Sequence, residues 1–186
     1  MEMEKRVSLS ELMADNNYSE LEKTPLDVVS YEELAQFLTD ACIVKDVRSL
    51  RIVIEGLEFC AGHSALYKLL HSFMHAPNEK GFEHLNKDEI FWGLFISVLF
   101  RNYKLANYFA GINTDFDVAL DGIMTIICSD KKANEVAKTF ISRVIDIEEG
   151  CSPGLKMSLK TYADMAETKN PELHFMLSSL INIQFY

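Results

Sequence analysis

A chain of 186 residues with 48% hydrophobic and 25% charged side chains carries enough apolar material for one core or a short stack of helical units, which excludes whole-chain disorder. Four prolines and eight glycines are too few turn formers for a sandwich or barrel of many short strands. The formal charge of −10 repels a phosphate backbone, so nucleic-acid binding is disfavoured and a basic protein partner fits better, although excess acid also serves simply to keep a helical surface soluble.

In chain order, residues 1–29 are polar, acidic and weakly periodic, and read as a partly ordered N-terminal arm ahead of a single helical domain over residues 30–186. Ser8-Leu9-Ser10-Glu11 has capping-box spacing and predicts a short helix at Ser8 to Met13. Met1-Glu2-Met3-Glu4-Lys5-Arg6 lacks the apolar stretch of a signal peptide. The most apolar run, Ile90 to Phe100, is shorter than the about 20 residues a membrane span takes. The expectation is a cytoplasmic chain without membrane contact, delivery into a host cell staying open. Cys42, Cys60, Cys128 and Cys151 form no CxxC pair and read as buried thiols of a reducing compartment.

The domain opens on a second capping box, Ser30-Tyr31-Glu32-Glu33, in which the Ser30 hydroxyl serves the third N–H and Glu33 reaches back. Leu34, Phe37, Leu38 and Ala41 follow at i, i+3, i+4, i+7, the stripe of an amphipathic helix. Val47, Leu50, Ile54 and Leu57 mark the next helix, and Leu66, Leu69, Leu70 and Phe73 a third over Ser64 to His75, which Pro77 ends. Asn78 to Asn86 is a loop, with Phe82 and Leu85 on a short helix at most. The segment from Asp88 to Phe100 predicts a helix buried on most of its circumference, and Tyr103 to Ala110 a partner helix ended by Gly111. Further helices are expected at Phe116–Cys128, Lys131–Ile147, Leu155–Glu167 and Pro171–Gln184. The class is all-α.

These helices come in pairs. Short polar steps at Val44-Lys45-Asp46, Arg101-Asn102-Tyr103, Ser129-Asp130-Lys131 and Thr168-Lys169-Asn170 force each pair antiparallel. Longer links at Phe59 to His63, Gly111 to Asp117 and Glu148 to Gly154 join pair to pair, as a solenoid of helix pairs requires. Gly62-His63-Ser64-Ala65-Leu66-Tyr67 resembles the opening of an ankyrin repeat, and Ala163 through Leu173 is similar to that family's step between helices. The steps near Asp46, Asn102, Asp130 and Asn170 depart from the family's even period of about 33 residues, and the Gly-Ala-Asp hairpin signature is absent. An ankyrin-like or other short α-solenoid is therefore expected, with an irregular helical bundle as the alternative.

No catalytic constellation stands out. His71 and His75, at i and i+4 on one helix face, have the spacing of two ligands for one metal ion, but no HExxH and no standard structural zinc motif surrounds them, and surface histidines are the plainer reading. Cys60 with His63 forms a formal Cys–His pair; a buried, uncommitted cysteine is the plainer reading there too. No phosphate-cradling glycine loop and no cofactor site is expected. Phe91, Trp92, Phe95, Phe100, Tyr103, Tyr108 and Phe109 read first as core and only in their exposed remainder as a binding patch, and Phe185-Tyr186 as a docking tail or a packed end.

The resulting expectation is a non-enzymatic adaptor or regulator that binds a protein partner through helix-pair turns and a groove. The resemblance to ankyrin repeats implies contacts from the turns that hold Phe59, His63, Ser64, Asn113, Asp115, Phe116 and Ser152. A helical-bundle inhibitor, chaperone or host-directed effector is the alternative, and a metal-dependent or cysteine enzyme the third reading. Oligomeric state is not encoded in any of these signals.

Overall fold

The computed structural model describes residues 6–113, 116–147 and 152–184, which form eleven α-helices and no strand among the described residues. Internal contacts divide the chain into two compact units, Met1–Ala76 and Pro77–Tyr186.

The first unit holds α1 (Leu9–Ala14), α2 (Tyr18–Lys23), α3 (Tyr31–Val44), α4 (Val47–Leu57) and α5 (Ser64–His75), with 3₁₀ turns at Leu26–Val28 and Ala61–His63. The capping box at Ser8 forms as its sequence predicts: Ser8 Oγ accepts from the Glu11 N–H at 3.2 Å and the Glu11 carboxylate accepts from the Ser8 N–H at 2.8 Å. Residues read as an arm thus fold as α1 and α2, which bury Leu9, Leu12, Met13 and Leu21 and pack on α3 and α4 respectively.

The second capping box forms only by half. Ser30 Oγ accepts from the Glu33 N–H at 3.1 Å, but the Glu33 carboxylate turns away from its own helix start. It accepts from the Leu9 N–H at 3.0 Å and pairs with Arg6. Leu9 opens α1 and its N–H has no acceptor within that helix, so the carboxylate meets an orphan donor and a cation together in place of one N–H. Lys45, with φ of 60°, ends α3 in the left-handed conformation, and Asp46 starts α4 by accepting from the Ser49 N–H at 3.0 Å and the Ser49 hydroxyl at 2.8 Å.

The second unit holds α6 (Lys87–Leu99), α7 (Tyr103–Ile112), α8 (Phe116–Ile127), α9 (Asn134–Ile147), α10 (Pro153–Ala166) and α11 (Pro171–Gln184). No helix forms over Asn78–Asn86; Gly81 takes a φ of 95°, and buried Phe82 sets its ring 5.6 Å from that of Phe109. Eight consecutive residues of α6, Phe91 to Val98, are buried, so this helix is covered all round. Two glycines make the cover close. A Cβ on Gly93 would lie 2.7 Å from the Phe109 ring of α7, and one on Gly122 would lie 2.7 Å from the Phe95 ring of α6.

The tight steps between α6 and α7, α8 and α9, and α10 and α11 give packed neighbouring pairs. Across pairs like packs on like: α6 on α8, and α7 on α9. Side chains fasten the same arrangement. Tyr103 donates to Asp130, Thr139 to Asn107 at 2.6 Å, Tyr162 to Asp121, and fully buried Asn170 to Asn134 at 2.8 Å. Gly111 does not end α7, which runs on to Ile112 and stops at extended Asn113. An interior glycine costs only about 1 kcal/mol against alanine, too little to stop a helix packed along α9.

Candidate functional site

The strongest departure from an ordinary helical surface lies at one end of the first unit. Because α3 and α4 join tightly at Lys45-Asp46, the start of α3 and the end of α4 lie together at the other end. Two 3₁₀ turns, Leu26–Val28 and Ala61–His63, meet there. His63 ties them with its Nε2, 2.9 Å from the Val29 carbonyl oxygen, and a Cβ on Gly56 would lie 2.8 Å from the buried side chain of Leu26, so α4 and the turn approach closely.

This tip exposes apolar side chains. Phe59 is 83% exposed, Val28 68% and Tyr31 45%, while Leu26, Val29 and Leu57 beneath them are buried. Single exposed apolar residues are ordinary; three on a pinned tip are a candidate contact patch. Asp27, Glu32 and Glu58, all exposed, are sequence neighbours of these residues, and neither residues 24–36 nor 56–64 carry a lysine or arginine. Arg6, paired with Glu33 in the first turn of α3, is a cation that the fold brings to this end. The tip is apolar, and the segments that build it are acidic.

The sequence-derived contact residues separate accordingly. Phe59 and Ser64 are exposed at the tip, whereas half-buried His63 holds it together. Ser152 is exposed but serves α10 as its N-cap, accepting from the Leu155 N–H at 3.1 Å. Asn113 is only 1% exposed and offers no surface to a partner. Asp115 and the Phe116 side chain lie outside the described residues, as do Phe185 and Tyr186. Val28 and Tyr31 were not legible as contacts, because 30 or so residues separate them from Phe59; the alternation Leu26-Asp27-Val28-Val29 after Pro25 is the one local sign of a turn with an outward apolar group.

The Cys60 and His63 side chains have separate partners, although the His63 N–H donates to the Cys60 carbonyl at 3.0 Å. The Cys60 thiol donates to the Gly56 carbonyl at 3.5 Å, and burial, reinforced by Asp27, pushes its pKa up, away from thiolate chemistry. Burial raises Cys128 to about 11 and Cys42 further still. In the aromatic run, Phe91, Trp92, Phe95 and Phe109 are core, and Phe100, Tyr103 and Tyr108 are half-buried. His71 and His75 are exposed on α5, and no group of three or more histidine, cysteine or acidic ligands converges among the described residues.

In the second unit, the last pair exposes Met157 and Met165 on α10 with Phe175 and Ile183 on α11. An open cavity of about 580 Å³ lies between these helices, lined by Lys160, Asp164, Ser178 and Ile181 among others. No described helix is long and apolar enough to cross a membrane. Comparison with known protein families, curated proteins and solved structures finds no match to this chain.

Proposed function

We propose that this chain is a non-catalytic interaction module that binds a basic protein partner through the tip of its first unit. The observation that carries the reading is the outward apolar group Val28, Tyr31 and Phe59 on turns fixed by His63, with Asp27, Glu32 and Glu58 next to them in sequence. A pinned apolar centre lowers the ordering cost of binding, and a predominantly acidic surround steers an oppositely charged partner and disfavours acidic ones. The like-on-like packing of α6 to α9 supports an ankyrin-like or related stack of helix pairs as the scaffold. An irregular bundle that inhibits or chaperones one target is the second reading, favoured by α6, which is covered all round as a bundle's central helix is.

The test is affinity purification with the full chain, comparing wild type with Phe59→Asp and with Val28→Asp at low and high salt. The expected result is a basic protein retained by wild type, lost at least tenfold in either variant, and weakened by salt. Equal retention by all three chains, or a partner insensitive to salt, defeats the reading. The variants change exposed positions, so circular dichroism should show unchanged helix content.

A further inference from the structure

The exposed face of α5 carries three rings in a row. Tyr67 and His71 have centroids 5.5 Å apart, and His71 and His75 have centroids 4.6 Å apart with a 51° angle between planes. Both histidines are exposed, and apart from these ring contacts neither imidazole has a partner among the described residues. His63 and His174 differ, bonding to the Val29 and Ala163 carbonyls, while His84 is exposed beside Glu83 in the loop before α6.

The 4.6 Å separation, which the i,i+4 rings of Phe91 and Phe95 also show, is compatible with chelation. A metal–nitrogen bond of about 2.0–2.1 Å, with the ring centre about 1.1 Å behind the nitrogen, puts two imidazoles about 4.4–5.2 Å apart, centre to centre, when they meet one ion at about 90–109°. His71 and His75 are already spaced within that range. Tyr67, one turn before His71, packs on its ring and narrows its rotamer choice. We propose that His71 and His75 form a bidentate surface chelate for a divalent transition-metal ion that prefers imidazole, namely copper(II), nickel(II) or zinc(II). Magnesium and calcium, which take oxygen ligands, are not candidates. Since no third histidine, cysteine or carboxylate joins the pair among the described residues, water or an incoming ligand completes the coordination, and the ion stays exchangeable.

Calorimetric titration of the full, metal-free chain with copper(II), nickel(II) and zinc(II) tests this, with His71→Ala, His75→Ala and, as a control, His84→Ala in the loop before α6. The expected result is one ion per chain, tightest for copper in the usual order of these metals, and at least tenfold weaker in either α5 variant but unchanged in the control. Copper(II) electron paramagnetic resonance should then report two nitrogen ligands in wild type and one in either α5 variant. No saturable binding, or binding that neither α5 substitution weakens, overturns the proposal. The positions are exposed, and unchanged helix content on circular dichroism separates lost ligation from lost folding.

Discussion

Helices α4 and α6 are close in length and both lie in their unit's core, yet they are built on opposite plans. In α4 a buried stripe of Leu50, Val53, Ile54 and Leu57 backs onto an exposed face with Arg48, Arg51 and Glu55. In α6 charged residues occupy only the first turn, and everything from Phe91 to Val98, Ser97 included, is inside. The first plan is that of a layer helix, which needs one neighbouring surface. The second requires neighbours on every side, and the neighbours come close enough that Gly93 and Gly122 are steric necessities. The lesson is that tolerance in this protein should follow the plan of the helix and not its length.

The largest test is Trp92→Ala in α6. The indole is 1% exposed, so its removal should cost about 3–5 kcal/mol. Arg51→Ala in α4 changes an exposed side chain whose pair with Glu55 is at 3.7 Å, and should stay within about 0.5 kcal/mol. Urea unfolding monitored by circular dichroism measures both, and similar values for the two would break the comparison. Next comes Gly93→Ala. Its Cβ would enter the Phe109 ring face, at 2.7–2.9 Å from three ring atoms, for a cost of about 1–3 kcal/mol against a gain of about 1 in helix propensity. Gly62→Ala at the tip, with nothing within 4 Å, should be near neutral. If Gly93→Ala is also neutral, the close approach of α7 to α6 is not what the glycine is for.

Local signals were legible in the sequence and distant partners were not. Ser8, Ser30, Asp46 and the Asn170 before Pro171 mark true helix starts because a cap is satisfied within three residues of itself. Helix pairs were legible because a step of two to six residues leaves the chain little route but back. Glu33 misled: its spacing fits a capping box, but its carboxylate serves Leu9 and Arg6, about a quarter of a hundred residues earlier, as only tertiary structure can arrange. Asn113 looked like an exposed turn residue by composition and is buried. At the tip, Phe59 and Ser64 could be named from their link, whereas Val28 and Tyr31 join them only through tertiary contacts such as the His63 bond to Val29 and the approach of Leu26 to Gly56. Half of the candidate patch was thus invisible to any local pattern.

A smaller effect comes from the bond between Tyr103, which opens α7, and Asp130. That hydroxyl holds the Asp130 carboxyl below its usual value, while burial, aided by Asp130, holds the Tyr103 phenol above its own. A carboxyl lowered in the fold stabilises it at neutral pH and loses that contribution as pH falls through the folded value. A phenol raised in the fold contributes up to its unfolded value of about 10 and loses this as pH rises further. Tyr103→Phe should therefore cost about 1 kcal/mol at pH 7 and less in acid below the carboxylate range. A cost that is the same at pH 7 and pH 3 would mean that packing, and not the bond, is what the tyrosine provides.

The smallest effect separates the two units' ways of fastening helices. In the second unit the ties join packed pairs through half-buried or buried groups, whereas half-buried Glu33 in the first unit holds the start of α1 and an exposed Arg6. Glu33→Gln keeps an oxygen for the Leu9 N–H and removes only the charge, so the cost should be below about 1 kcal/mol. It should also shrink as salt is raised, because an exposed pair is screened and a half-buried neutral bond is not. Amide exchange at Leu9 to Leu12 is the sensitive readout, since α1 depends on this one side chain for its first donor. Faster exchange at low salt, merging with wild type at high salt, fits a charge-held α1. Equal exchange at both salt levels would assign the hold on α1 to its buried Leu9, Leu12 and Met13 alone.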